Sequence, residues 1–293
     1  MQLLAYLLLY PFIWFISILP FRILYFFSDI VCFIIYRIIG YRKKTVRENL
    51  RLTLGHLSPK ELKAIEKRFY SHFTDSFFEM AKTLTISDKE LQKRYVFENY
   101  EVIEDLEAKG KSIILLLGHY ASYEWLIIMN RRLTTYKGYG VYKVIKNKYF
   151  DSLVRKIRGK FNTELIGTRE TIPVIRQNER KGVKGIYGFV ADQSPKLGKA
   201  LHWAMFFGME VPVFTGGEML AKKQDMNMAY AKVSKVSRGH YSAAFVAVEN
   251  IKEIPDYKVT DGFLRMLEQQ ILEAPEYYLW THKRFKHRKN DPA

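Results

Sequence analysis

The chain opens on an unbroken apolar stretch. From Gln2 to Phe21 there are 20 residues without a charge, filled largely by Leu3, Leu4, Leu7, Leu8, Leu9, Phe12, Trp14, Phe15 and Ile16. Twenty residues of helix rise about 30 Å, the thickness of a bilayer hydrocarbon core. Pro11 and Pro20 each remove a backbone donor from that helix. A second run, Ile23 to Tyr36, is 14 residues long and contains Asp29, so it reads as re-entrant, interfacial or packed on the body. No basic region precedes the first run and no small-residue cleavage site follows it, which disfavours a removable leader. Arg42, Lys43, Lys44, Arg47 and Arg51 come next, and such clusters stay on the cytoplasmic side. Residues 1–41 are therefore expected to form a helical membrane anchor, with the body on the cytoplasmic face. A hydrophobic hairpin buried in a soluble body is the competing reading.

Behind the head the periodicity becomes helical and then alternates. Residues 42–54 form a basic helix, and Ser58 with Glu61 is a capping box opening a helix at Pro59 that runs to about Leu84. Ser87 with Glu90 repeats the signal near Leu91, so residues 42–100 make a helical layer. From 101 to 293 the pattern is α/β. Ser112–Leu117 is a buried strand leading through Gly118-His119 into a helix. Strands follow over Lys137–Val144, Gly185–Ala191 and Val211–Phe214, with a strand pair at Met226–Val236 and Tyr241–Ala247. Helices are expected over Lys148–Lys160, Glu170–Arg180, Gly217–Gln224 and Val259–Ala274. The expected fold is α/β, a mixed sheet flanked by helices.

Composition narrows the chemistry. Lys and Arg number 47 against 30 Asp and Glu, a formal net charge of +17, and residues 1–41 carry only Arg22, Asp29 and Arg37. A basic body behind an apolar head suits an anionic surface. One Cys excludes an internal disulfide framework and a Cys-based zinc or iron–sulfur site. There is no Walker loop and no Gly-x-Ser-x-Gly elbow, and Gly182, Gly185 and Gly188 lead into a strand rather than opening a helix. His282 and His287 lie among cations, a poor setting for a metal. No cofactor and no metal are called for. The charge also prompts a nucleic-acid reading, but no helix-turn-helix, RNA-recognition or OB signature accompanies it.

One pairing stands out, His119 followed five positions on by Glu124. The same spacing occurs at His56 and Glu61, where the carboxylate already serves the capping box. His119 ends a buried strand at the C-terminal edge of a sheet, where α/β proteins place chemistry. Glu124 lies in the first turn of the next helix and is expected to reach back to the imidazole, leaving the other ring nitrogen as a general base. Asp192 occupies the equivalent turn after Gly185–Ala191, where ordinary turn chemistry is the plainer reading. Arg155 and Arg158 on one helix, and Arg169 beyond it, are candidates for holding phosphate oxygens.

These residues, taken in order, resemble the bacterial lipid A late acyltransferases, the lauroyl/myristoyl family of lipopolysaccharide synthesis. The resemblance spans most of the chain: the apolar head with its Leu-Pro, Asn49-Leu50, the strand-Gly-His-x4-Glu element, Val141-Tyr142-Lys143, Asn147, Arg158, Arg169, Ala191-Asp192-Gln193, Phe206-Phe207-Gly208 and the Trp280-Thr-His-Lys-Arg-Phe-Lys286 ending. Lys143 stands where the family usually has Arg. The resemblance implies a glycerolipid-acyltransferase-like fold at the bacterial inner membrane. It also implies transfer of an acyl group from an acyl carrier protein thioester to a hydroxyl of a lipid A precursor. His119, Glu124, Arg158 and Asp192 would then be catalytic, and Tyr142, Lys143, Asn147, Arg169 and Gln193 would bind substrate. The same chemistry on an aminolipid, phospholipid or other glycolipid has identical motifs at the His site. A non-catalytic membrane scaffold would tolerate loss of His119.

Overall fold

In the computed structural model, which describes residues 2–289, the apolar head folds as two helices rather than one. Helix α1 (Gln2–Ile18) ends before Pro20, and α2 (Phe21–Phe33) continues through a π-helical turn, Ile34–Ile39. At 17 residues α1 is about 25 Å long, less than a hydrocarbon core of about 30 Å. No single helix among the described residues is long and apolar enough to cross a membrane; α2 with its π turn passes only jointly with the next helix, across a 92° bend. The expected spanning length is thus corrected, because Pro20 has no N–H to carry the helix onward.

The helical layer follows as α3 (Lys43–Leu54), α4 (Pro59–Lys82) and α5 (Asp88–Arg94). The capping box at α4 is present: Glu61 accepts from the Ser58 N–H at 2.8 Å, and Ser58 Oγ accepts from the Glu61 N–H at 3.3 Å. The remaining elements are β1 (Tyr95–Phe97), α6 (Glu101–Ala108), β2 (Ile113–Leu117), a 3-10 helix (Tyr123–Arg131), β3 (Lys137–Tyr142), α7 (Lys148–Arg158), β4 (Thr163–Gly167), α8 (Thr171–Arg180) and β5 (Gly185–Val190). They continue with β6 (His202–Phe206), β7 (Met209–Val213), α9 (Gly216–Gln224), β8 (Asn227–Ser237), β9 (His240–Val248) and α10 (Lys258–Glu273).

Seven strands form one mixed sheet in the order β1-β9-β8-β2-β5-β3-β4, while β6 and β7 pair apart from it. From β8 to β4 every neighbour is parallel; β9 returns antiparallel to β8. All five side chains of β2 are buried, as helices on both faces of a parallel sheet require. Strands β1, β4 and β6 escape sequence periodicity because they are three to five residues long and incompletely buried.

Register decides what the sheet can present. Leu117 pairs with Val190, Gly140 pairs with Gly188, and Tyr142 pairs with Gly167. Strands β2, β5, β3 and β4 therefore finish level. The residues just beyond them, His119, Asp192, Lys143 and Arg169, leave along one edge.

The C-terminal segment clasps that edge. The Leu279 N–H donates to the His119 carbonyl at 3.1 Å and the Ala121 N–H to the Tyr277 carbonyl at 2.9 Å. Arg284, almost fully buried, donates to Ser194 Oγ at 2.8 Å and to the Pro212 carbonyl at 3.2 Å. The segment is itself held from α3: the buried Asn49 amide donates to the carbonyls of Trp280 (2.8 Å) and His282 (2.7 Å), and Arg42 donates to that of Thr281 (2.9 Å). Asn49→Ala leaves the buried Trp280 carbonyl and the partly buried His282 carbonyl without this donor, so we expect a stability loss of about 1–3 kcal/mol in denaturant unfolding. A change within about 0.5 kcal/mol, the size of a surface substitution, would mean the clasp holds without Asn49.

Candidate active site

Gly118 lets β2 end against α10, since a Cβ there would lie 2.8 Å from Leu267 Cδ1. The following His119 is turned so that its Nδ1 meets Asp192 Oδ1 at 2.6 Å. Asp192 is 1% exposed and His119 is 18% exposed, so the pair presents the imidazole, not the carboxylate. Asp192 leaves Nδ1 as the protonated nitrogen and Nε2 as the free base; there the Gln193 amide nitrogen stands 3.3 Å away. The edge of Tyr123 packs on the ring, with centroids 5.0 Å apart.

Burial opposes the charged imidazole, yet the Asp192 carboxylate outweighs it and raises the His119 pKa above its ordinary value. Burial likewise works against the Asp192 carboxylate, and His119 with its hydrogen bond holds that pKa below the usual range.

Glu124 has a different partner from the one its spacing suggested. Its oxygens receive the guanidinium of Arg158, Nε donating at 2.7 Å and Nη2 making the second bond. The sequence reading set Glu124 on the imidazole, and the sheet order explains the difference. Strand β5 lies beside β2, so Asp192 faces His119 directly, whereas the helix carrying Glu124 turns it toward α7, whose Arg158 offers a matching fork. Burial disfavours the Arg158 cation, but Glu124 more than compensates and its pKa is raised.

The other residues singled out in the sequence separate by role. Tyr142 donates its hydroxyl to Asp151 at 3.1 Å and lies under the Arg155 guanidinium. Asn147 caps α7, accepting from the Tyr149 and Phe150 N–H groups. Lys143 and Arg169 are exposed at the ends of β3 and β4, without a hydrogen-bond or ion partner among the described residues. They stand two and three strands from His119, about 10 and 14 Å along the sheet. No cluster of three or more His, Cys, Asp or Glu among the described residues could hold a metal.

A cavity of about 150 Å³ adjoins His119, Tyr123 and Glu124. Its walls are mostly apolar: Phe69, Phe73, Phe77 and Met80 of α4, with Trp125 and Tyr277. Sequence reasoning gave no role to His72, a buried cavity residue whose Nδ1 accepts from Lys235 at 3.3 Å and whose ring hydrogen-bonds the Ala121 backbone. Ala121 has φ +47°, a strained value for a residue with a Cβ, and His72 and Tyr277 both hold it there. His282 and Arg284 lie near Asp192; burial pushes the His282 pKa down to about 4 and lowers that of Arg284. Their place in the closing Trp280–Lys286 segment was the only sequence sign of them.

Known proteins resemble this chain over most of its length. The profile of the bacterial lipid A biosynthesis acyltransferases matches residues 2–287. The lipid A biosynthesis acyltransferase of Haemophilus influenzae is 24% identical over 264 residues, covering 86% of this chain and 79% of its own. The lipid A biosynthesis lauroyltransferase of Escherichia coli is 22% identical over 279 residues, 94% and 89% of the two chains. The palmitoleoyltransferase of the same organism is 21% identical over 263 residues, 84% and 79%. With the family profile spanning nearly its whole length, this chain belongs to the bacterial lipid A biosynthesis acyltransferases and is an acyltransferase.

Proposed function

We propose that the protein transfers a fatty acyl chain from an acyl carrier protein thioester to a hydroxyl of a lipid A precursor, at the cytoplasmic face of the bacterial inner membrane. The observation that carries the mechanism is the His119–Asp192 pair, which leaves Nε2 unprotonated with the Gln193 amide against it. The acceptor hydroxyl displaces the Gln193 amide and gives its proton to Nε2 as its oxygen attacks the thioester carbonyl. Asp192 stabilises the imidazolium that forms. The tetrahedral intermediate collapses with loss of the C–S bond, and the proton passes from Nε2 to the leaving sulfur. Arg158, aligned by Glu124, donates to the oxyanion. No acyl-enzyme is required.

The apolar cavity beside His119 suits the acyl chain. Lys143 and Arg169, too far along the edge to touch the reacting carbonyl, suit the phosphates of an extended acceptor, and Tyr142 and Asn147 order the segment from β3 into α7 that carries Lys143. A net charge of +17 favours encounter with an acidic carrier protein and an anionic lipid.

Mass spectrometry of lipid A from the source cell with and without this gene tests the reading. We expect one acyl chain to disappear on deletion and to return with the wild-type gene. An unchanged lipid A would move the acceptor to another lipid. His119→Ala is expected to restore nothing detectable and to lower the purified rate about 10²- to 10⁴-fold, while His56→Ala behaves as wild type.

The pH profile tests the Asp192 assignment. Asp192 stabilises the protonated imidazole, so the acid limb of kcat/KM lies above the ordinary imidazole value. Asp192→Asn removes that anion and is expected to move the limb to lower pH while reducing the rate. A limb that stays in place would overturn the pairing.

Arg158 and Arg169 separate in steady-state kinetics. Arg158→Lys is expected to lower the rate at saturating acceptor, as loss of a transition-state donor does. Arg169→Lys is expected to raise the acceptor concentration for half-maximal rate and leave the maximal rate near wild type. If both change only the acceptor dependence, Arg158 belongs with the phosphate clamp.

A further inference from the structure

The apolar head is fastened to the body along its length. In α1 the less exposed positions are 6, 10, 13, 16 and 17, one stripe at helical spacing. At its start Tyr6 packs on Tyr149 and Phe150, with centroids 5.7 and 5.8 Å apart, and Asn147 donates to the Gln2 carbonyl at 3.3 Å. At its end Lys82 Nζ donates to the Ser17 and Leu19 carbonyls at 2.8 and 2.7 Å, satisfying acceptors that a helix terminus leaves open. Both ends of α1 therefore rest on one side of the body.

Helix α2 is held by polar contacts at successive turns. Tyr25 donates to Glu79 at 2.8 Å and Ser28 to Asp75 at 2.7 Å. Asp29 receives Arg238 at 2.6 Å, and Arg238 also binds Asp75 at 2.7 Å. Gly239, at φ +74°, lets the β8–β9 turn approach so closely that a Cβ would come 2.1 Å from the Tyr25 hydroxyl. Standing α2 upright in a bilayer would strip Asp75 and Glu79, each 1% exposed, of these partners and carry Asp29 into hydrocarbon. The opposite faces offer Leu4, Leu8, Phe12, Phe26, Phe33 and Ile38 to the outside. Arg22, Arg37, Arg42 and Lys44 are exposed on and beside this surface.

We infer that α1 and α2 lie in the plane of one leaflet, their apolar faces in its acyl region and their cations on anionic headgroups, so that residue 2 stays on the same side as the body. This deepens the membrane reading above and rests on it. Helix α4 is the shared wall: Asp75, Glu79 and Lys82 hold the hairpin, while Phe73, Phe77 and Met80 line the cavity beside His119.

The full-length chain with its single cysteine removed (Cys32→Ala) carries the test, with one new cysteine at a time by Gln2→Cys or Lys181→Cys. Each is probed with a membrane-impermeant maleimide in intact spheroplasts and in inside-out vesicles. Both variants are expected to label in the inside-out vesicles only. Labelling of Gln2→Cys from the opposite side to Lys181→Cys would overturn the in-plane hairpin and leave membrane attachment standing. Recovery of the chain in the soluble fraction would overturn both. As a second measurement, the purified chain is bound to vesicles containing phosphatidylglycerol, and the fluorescence assigned to Trp14 by a Trp14→Phe control is quenched with brominated lipids. Stronger quenching by bromines near the headgroup than by bromines near the bilayer centre is expected. The reverse order, placing Trp14 near the bilayer midplane, would overturn the proposal.

Discussion

Five parallel pairs between β2 and β5, from Ile113 with Ile186 to Leu117 with Val190, set the separation of the two side chains at the centre of the site. The strands finish level, so residues two steps beyond each of them meet across a single strand spacing. A slip of one residue would turn Val190 and its neighbours to the other face and carry Asp192 away from the imidazole. The all-aliphatic Ile-Ile-Leu-Leu-Leu of β2, buried on both faces, holds that register through burial rather than through any polar contact. Lys143 and Arg169 inherit their places from the same register through β3 and β4.

Burying a carboxylate beneath a histidine requires compensation on every side. Asp192 receives His119 on one oxygen, and Tyr278, His282 and Arg284 all lie close enough to feel its charge. Those three come from the C-terminal segment, which reaches back over the loops after β2 and β5. The segment is pinned in turn by Asn49 and Arg42, at the far end of the sequence. A closing stretch rich in cations therefore reads as interior structure around the site. Its exposed lysines remain available to an anionic surface.

Helix α4 divides two apolar environments. One face carries the buried Asp75 and Glu79, which take hydroxyl and guanidinium donors from α2, the β8–β9 turn and β9. Burial pushes the Glu79 pKa up to about 7, against the pull of Lys235 and of the two tyrosine donors. The adjoining face is phenylalanine and methionine beside the His119 cavity. With 24 residues, α4 is long enough to serve both.

What the sequence determined by itself was local. The capping box at Ser58 and Glu61, the aliphatic run of β2 and the turn at Arg238-Gly239 act between near neighbours, and each appears where the pattern put it. So does the position of His119 at a strand end, because strand ends follow from apolar run length. The family followed from the ordered set of motifs. Which carboxylate holds His119 was decided only by tertiary structure. Glu124 is five residues away in the chain, yet Asp192, 73 residues away, makes the bond, because strand order rather than sequence spacing sets which loops are adjacent. The head shows the same division. Hydropathy marked it as apolar, but Asp75, Glu79, Lys82 and Arg238, all distant in sequence, laid it along the body. Hydropathy sums a segment's preference for leaving water. The direction in which a segment lies depends on partners that only the folded chain supplies.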